Sequence, residues 1–186
     1  MASIKIYTDG SCRGNQKDEN TGGWGAVLEY GDYRKELYGG ELNTTNNRME
    51  MTALLEALNA LKKEGLVIEV FSDSSYLMNC FRQKWYENWQ KNGWQTAAKK
   101  PVENKDLWEK LLVHLAHHKS FSFYRVKGHV NLNSKSTDFD KLYQKFLEWN
   151  GTNFSFEDFK YVTAMNNRAD ALANAGIDEI LKESHK

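Results

Sequence analysis

Residues 66–73, "LVIEVFSD", decide the fold. Leu66, Ile68 and Val70 fall on one side of an extended chain, Val67 and Phe71 on the other, and only Glu69 interrupts the apolar run. A strand that is apolar on both faces is a buried central strand, the kind parallel sheets contain. The run ends on Asp73. Acids at the carboxyl ends of such strands lie at the crevice where α/β folds take ligands. A local reading competes: in "DSSYL" the acid simply caps the helix that follows.

Parallel neighbours require helical crossovers, and the flanks supply them. Residues 44–65, "TTNNRMEMTALLEALNALKKEG", read as a helix with Thr and Asn as caps and Gly65 just past its end. Residues 76–94, "YLMNCFRQKWYENWQKNGW", read as a tryptophan-rich helical segment. In "KDLWEKLLVHLAHH", residues 105–118, Leu107, Trp108, Leu111, Leu112 and Leu115 recur at helical spacing. "SFSFYRVKG", residues 120–128, alternates as a strand, and a last helix is expected from about Asn167. Upstream, "SIKIYT" reads as a first strand. "GGWGAVLEYGDYRKELYGG", residues 22–40, reads as a hairpin turning at Gly31-Asp32. Strands interleaved with helices after a hairpin predict an α/β domain around one mixed sheet.

The totals bound the class. A chain of 186 residues, 40% hydrophobic and 27% charged, fits one globular domain with a sizeable core. Its formal net charge is zero, so any nucleic-acid binding has to come from local arrangement. No apolar run is long enough for a bilayer and no signal peptide precedes the first strand. Cys12 and Cys80 have neither metal-ligand spacing nor the look of a disulfide framework, so a reducing cytoplasm is expected.

Four acids stand out, each with a plain alternative. Asp9 in "YTDGSC" ends a strand and precedes a glycine, which is also ordinary turn chemistry. Glu50 shares a helical stripe with Leu54, Ala57, Leu58 and Leu61. An unpartnered carboxylate facing a core costs several kcal/mol, about 3–5 when a pair is broken, so it needs a partner or an ion. The alternative is a glutamate at the stripe's edge that reaches water from the helix start. Asp170 lies in the first turn of the expected last helix with Ala173, Ile177 and Leu181 on its face, and helix-dipole complementarity is its alternative. Together, oxygen ligands without clustered His or Cys suit Mg²⁺ or Mn²⁺ rather than Zn²⁺. Two such ions about 4 Å apart hold the attacking and leaving oxygens of a phosphodiester.

The segments "YTDGSCRGN", "GGWGAVL", "TTNNRMEMTALLEAL", "SDSSY", "WYENWQKNGWQTAAKKPVENKDLW", "VKGHV" and "NNRADALA" occur in the order found in type 1 ribonuclease H, and the chain resembles that family. The resemblance covers nearly everything except roughly residues 131 to 165. It implies a ribonuclease H-like fold, a five-stranded mixed sheet flanked by helices. It also implies an endonuclease that hydrolyses the RNA strand of RNA/DNA hybrids with two Mg²⁺ ions (or Mn²⁺), as a monomer. The family's metal-binding acids fall on Asp9, Glu50, Asp73 and Asp170, and its mobile proton-shuttling histidine on His129. Cys12, Asn15 and Asn46 resemble residues that touch the RNA minor groove, where 2′-hydroxyls mark RNA. Asn46 and Asn47 match the paired amides between the strands, and Thr45 and Asn104 a DNA-phosphate pocket. Trp85 and Trp89 resemble the wall of the DNA channel, or else anchor their helix in the core.

Departures accompany the match. Asn43 stands where the family often has a basic residue, and Ser75 where it has an amide. The handle around "WQKNGWQ" carries Lys91 alone, so fewer counterions are released and hybrid binding should be weaker and less salt-sensitive. His129 and Asp170, normally about ten residues apart, are separated here by an insertion at about 131–165 within a single domain spanning 1–186. Phe139, Leu142, Tyr143, Phe146 and Leu147 give that insertion helical spacing, with an aromatic segment after it. It is expected to pack on the sheet edge, the alternative being a lid or substrate-contacting arm. His114, His117 and His118 end a helix without a fourth ligand, so no zinc site is assigned there. Two other functions are separable by assay: a different nuclease of this fold would cut DNA duplex, and a hybrid-binding module would bind without turnover.

Overall fold

A computed structural model describes residues 3–14 and 20–184. Three strands open the chain, β1 (Ile4–Gly14), β2 (Asn20–Tyr30) and β3 (Tyr33–Leu42), followed by helix α1 (Asn46–Asn59) and strand β4 (Val67–Ser72). Helices α2 (Ser75–Arg82), α3 (Trp85–Lys91) and α4 (Lys105–His117) lead to β5 (Ser120–Arg125), then α5 (Phe139–Asn150) and α6 (Phe156–Ser184). The sheet order is β3-β2-β1-β4-β5. β1 to β3 form an antiparallel meander, and β4 runs parallel to both β1 and β5. The sheet is therefore mixed, and "LVIEVFSD" does hold a strand flanked on both sides. The hairpin turns between Tyr30 and Tyr33, with Gly31 at φ +58 as a tight primed turn requires.

Alternation along the strands divides the core in two. Ile6, Ala26, Leu28, Ile68 and Val70 face α1, α2 and α4, packing with Leu54, Leu58, Phe81, Trp108 and Leu111. Tyr7, Val27 and Phe71 face the other way and are covered by Phe146 of α5 and Phe159, Val162 and Met165 of α6. Between His129 and Asp170 the chain thus closes the sheet's second face rather than only lining its edge. It also meets the edge: Arg82 donates from Nε to the Phe123 carbonyl and from Nη2 to Asn150 Oδ1, both at 2.8 Å.

Three expected boundaries move. α1 ends at Asn59 with Ala60 as its C-cap, not near Gly65. Lys62, Lys63 and Glu64 have no apolar side chain to bury, and Gly65, at φ +71, donates its N–H to the His117 carbonyl at 2.8 Å on the way into β4. The tryptophan-rich segment is two helices, because Lys84 adopts φ 54. That break lets Trp89 meet the fully buried Trp108 edge-on, with centroids 5.4 Å apart.

The last helix begins at Phe156, well before Asn167. Ser155 and Asp158 cap it reciprocally, each side chain accepting the other's backbone N–H at 3.0 Å. Asp170 therefore lies inside a long helix, where the dipole reading does not apply. Its helix runs backbone-close to the sheet: a Cβ on Gly25 would fall 2.3 Å from the Ala169 carbonyl oxygen. Only glycine permits that approach, and it sets Asp170 over β1.

Candidate active site

Asp9 sits where β1 loses a neighbour. Pairing with β4 stops at Thr8 and Ser72, while pairing with β2 continues through Asp9 and Gly25. Asp9 is thus within an eleven-residue strand rather than at its end, but at the lip where the sheet opens. Gly10 N–H donates to Asp9 Oδ1 at 2.9 Å, so the acid is held by its own turn of chain. Asp73 follows the last residue of the adjoining strand. The α2 N-cap is Ser74, whose hydroxyl accepts from Leu77 N–H at 3.1 Å, so Asp73 is not the cap and faces the cleft.

Glu50 is not a stripe-edge glutamate at the protein surface but is buried, lining the acid cleft. It is 7% exposed and Asp9 is 3% exposed, so both carboxylates lie within the protein. The Ser72 hydroxyl donates weakly to Glu50 Oε2 at 3.5 Å, and itself accepts from Ser74 N–H at 3.0 Å. One oxygen each of Asp9, Glu50 and Asp73 lies within 4.8 Å of the others.

Electrostatics shows what this grouping costs without a cation. Burial first, and then the Asp73 charge, push the Asp9 carboxyl up to about 8. Burial and the charges of Asp9 and Asp73 hold Glu50 well above the usual carboxylate range. Like charges this close cannot all ionise in a desolvated site unless positive charge is supplied. Buried carboxylate oxygens without sulfur or imidazole in the cluster fit a hard divalent ion.

The cleft around the acids has a volume of about 450 Å³ and takes in Asp170 and His129 at its rim. His129 Nδ1 lies 4.0 Å from Asp170 Oδ2, and the imidazole is 77% exposed on a loop residue with φ 56. The amide of Asn167 fixes that loop by donating to the Val130 carbonyl at 2.9 Å.

Of the residues matched to substrate contacts, Cys12, Asn46, Asn47 and Ser75 line the same cleft. Asn15 lies outside the described residues. Thr45 caps α1 by accepting from Arg48 N–H at 3.1 Å, which uses its hydroxyl structurally. Asn104, in a left-handed conformation at the start of α4, accepts from Arg48 Nη1 at 3.2 Å. Trp85 and Trp89 do two things: they pack half-buried against the core and line a shallow depression with Asn88, Lys91 and Gln95.

Two residues escaped the sequence reading. Ser72 supports Glu50, and its signal was the serine-rich "SDSS". Arg48 joins Asn104, Asp106 and Glu41, with Nη2 donating to Asp106 Oδ2 at 2.9 Å. Its place between Thr45 and Glu50 was the only hint.

Comparison with known proteins follows this geometry. A family model described as RNase H matches residues 1–148. Ribonuclease H of Clostridium botulinum (strain Hall) is 47% identical over 148 residues, covering 80% of this chain and 97% of that one. Ribonuclease H of Moorella thermoacetica is 50% identical over 142 residues, covering 76% and 90% respectively. Among solved structures, LC9-RNase H1, a type 1 RNase H with the type 2 active-site motif, superposes with TM-score 0.61 at 24% identity, covering 89% of this chain and 85% of that one. LC11-RNase H1 in complex with RNA/DNA hybrid superposes with TM-score 0.59 at 22% identity, covering 96% and 99%. With this sheet, this acid cleft and this coverage, the chain belongs to the RNase H family.

Proposed function

We propose that the chain is a metal-dependent endonuclease that hydrolyses the RNA strand of RNA/DNA hybrids, leaving 5′-phosphate and 3′-hydroxyl ends. The observation that carries this is the meeting of Asp9, Glu50 and Asp73 within 4.8 Å, beside a cleft shared with Asp170 and His129. The names of its relatives and the hybrid bound by LC11-RNase H1 support the substrate class.

Asp9, Glu50, Asp73 and Asp170 hold the metal, for which Mg²⁺ is proposed with Mn²⁺ as a substitute. Two such ions, when bound, supply an activated water and neutralise charge on the phosphate. Asp9, the most enclosed of these aspartates, would hold metal from the centre of the cluster, with Glu50, Asp73 and Asp170 around it. His129, exposed and held near Asp170, delivers a proton to the leaving 3′-oxygen as the P–O3′ bond breaks, while the attacking water bonds to phosphorus and loses its proton to solvent.

Cys12, Asn46 and Asn47, which line the cleft, face the RNA minor groove, and Asn15 is assigned to the same groove. Ser75, at the start of α2, meets the same strand. Thr45 and Asn104 hold a DNA phosphate with Arg48 between them, and Trp85 and Trp89 stack on the DNA side. Residues 131–165 are an insertion within one domain, which closes the second face of the sheet. Among the described residues no helix is long and apolar enough to cross a membrane. We place the protein in the cytoplasm as a monomer.

The test is incubation with RNA/DNA hybrid, double-stranded RNA and double-stranded DNA, with Mg²⁺ and then with EDTA. The hybrid's RNA strand alone is cut, and only with metal. Cleavage of DNA duplex, or hybrid cleavage undiminished by EDTA, contradicts the proposal.

A further inference from the structure

Lys127, Gly128 and His129 form a partition between two concavities. His129 lines the acid cleft. Gly128 is pressed against the cleft wall, since a Cβ there would lie 2.3 Å from Asp73 Oδ2. Lys127, on the far side, lines a second groove of about 620 Å³ with Lys141, Lys145, Phe146 and Trp149 of α5. The same three-residue segment thus contributes His129 to one hollow and Lys127 to the other.

The groove's charge is one-sided. Its rim presents Lys127, Lys141 and Lys145 against a single carboxylate, Glu148, which pairs with Lys145 at 3.6 Å. Among the described residues Lys127 and Lys141 have no ion pair. The Arg125 guanidinium lies 4.0 Å from the centre of the Trp149 ring, and the Lys145 ammonium 5.8 Å from it. Exposed lysines beside a half-buried indole are what a nucleic-acid strand recognises: Lys127, Lys141 and Lys145 follow phosphates, and Trp149, with Arg125 stacked over it, offers its exposed part to a sugar or base. An acidic protein segment would use the cations and leave the ring idle.

We propose that this groove is a second nucleic-acid contact, which receives the strand of the hybrid that leaves the cleft past His129. The inference rests on the hydrolase reading above and extends it to a surface made by α5. It also bears on the weakly basic handle near Lys91. Cations thin on that face of the sheet are here supplied on the other, where α5 packs.

The test compares the unsubstituted protein with Lys141→Glu/Lys145→Glu on two hybrids, one just long enough to fill the cleft and one much longer. A charge-matched control, Lys62→Glu/Lys63→Glu, reverses two exposed lysines elsewhere. KM for the long hybrid should rise about tenfold in the α5 variant, and the slope of log KM against log salt should fall by about 2, one per lost phosphate contact. The rise on the short hybrid should be markedly smaller, and the control should show no such length dependence. Equal effects on both hybrids, no effect, or the same effect in the control overturn the groove while leaving the hydrolase reading intact. Competition by a polyglutamate peptide in place of long hybrid also overturns it, in favour of a protein partner. An unsubstituted protein that cleaves neither hybrid overturns the reading on which the groove depends, a separate and visible result. If the double reversal does not fold, Lys141→Gln/Lys145→Gln replaces it under the same criteria.

Discussion

The side-chain amide of Asn150 pairs with the backbone of Arg125 as a neighbouring strand would. Arg125 N–H donates to Asn150 Oδ1 at 2.9 Å, and Asn150 Nδ2 donates to the Arg125 carbonyl at 2.8 Å. β5 is an edge strand, and an unpaired edge is a liability that this amide blunts. Arg82 adds a third bond to this amide, donating to the same Oδ1 at 2.8 Å and tying α2, β5 and the end of α5 together.

Asn150→Ala should therefore lower stability by about 1–3 kcal/mol, since the partly buried N–H and carbonyl of Arg125 are left unsatisfied. Thermal unfolding measures this. Hybrid cleavage at a temperature where the variant is folded should stay within a few-fold, because Asn150 is not part of the acid cleft.

Metal-free stability should fall as pH rises. Asp9 prefers its neutral form in the fold, with its carboxyl at about 8 against an ordinary 3.8, and Glu50 is raised as well. Above the ordinary value the unfolded chain has lost protons that the folded chain keeps, so the folded state is penalised progressively up to about pH 8 and evenly beyond it. In EDTA, Tm should thus be higher at about pH 5 than at about pH 8. Divalent metal selects the ionised form, so the Tm gain on adding Mg²⁺ should grow over the same interval. A metal-free Tm that climbs between those limits in the wild type, with no difference in Asp9→Asn, contradicts this account of the cluster.

Arg48→Ala removes the link from α1 to Asp106 and Asn104 at the start of α4. KM for hybrid should rise several-fold more than kcat falls if Thr45 and Asn104 form the proposed phosphate pocket, because that pocket loses its frame. A pure loss of Tm with unchanged KM would assign Arg48 to stability alone.

His129→Ala should lower kcat by about 10²-fold, the low end of acid–base catalysis, without abolishing turnover. The imidazole is exposed and its neighbours are few, so stability should hardly change. Full kcat at neutral pH in this variant removes the proton-transfer role.

The parts of this molecule that could be read from the chain were those set by local periodicity. "LVIEVFSD" carried its strand, Gly31-Asp32 its turn, and the Phe139–Leu147 spacing its helix, because each is fixed by which side chains can be buried together. The position of Asp170 within its helix was not legible from spacing, since the capping pair Ser155 and Asp158 starts that helix far upstream of the apolar stripe that carries Asp170. The break at Lys84 was equally hidden, because a non-glycine left-handed residue is dictated by the packing of Trp89 on Trp108 and leaves no compositional mark. Among the site residues, the four acids were legible singly only as alternatives. Burial of Asp9 and Glu50, which is tertiary, is what separates a ligand from a turn residue or a stripe-edge glutamate.

The most direct test of the central claim is cleavage of RNA/DNA hybrid in Mg²⁺ by Asp9→Asn beside the unsubstituted protein, with hybrid binding and Tm measured on both. The substitution keeps the size of the side chain and removes the charge that the cluster presents to metal. Loss of RNA-strand cleavage, with hybrid binding and fold retained, is the result this account predicts. Near-normal cleavage by a folded Asp9→Asn in Mg²⁺ would contradict it.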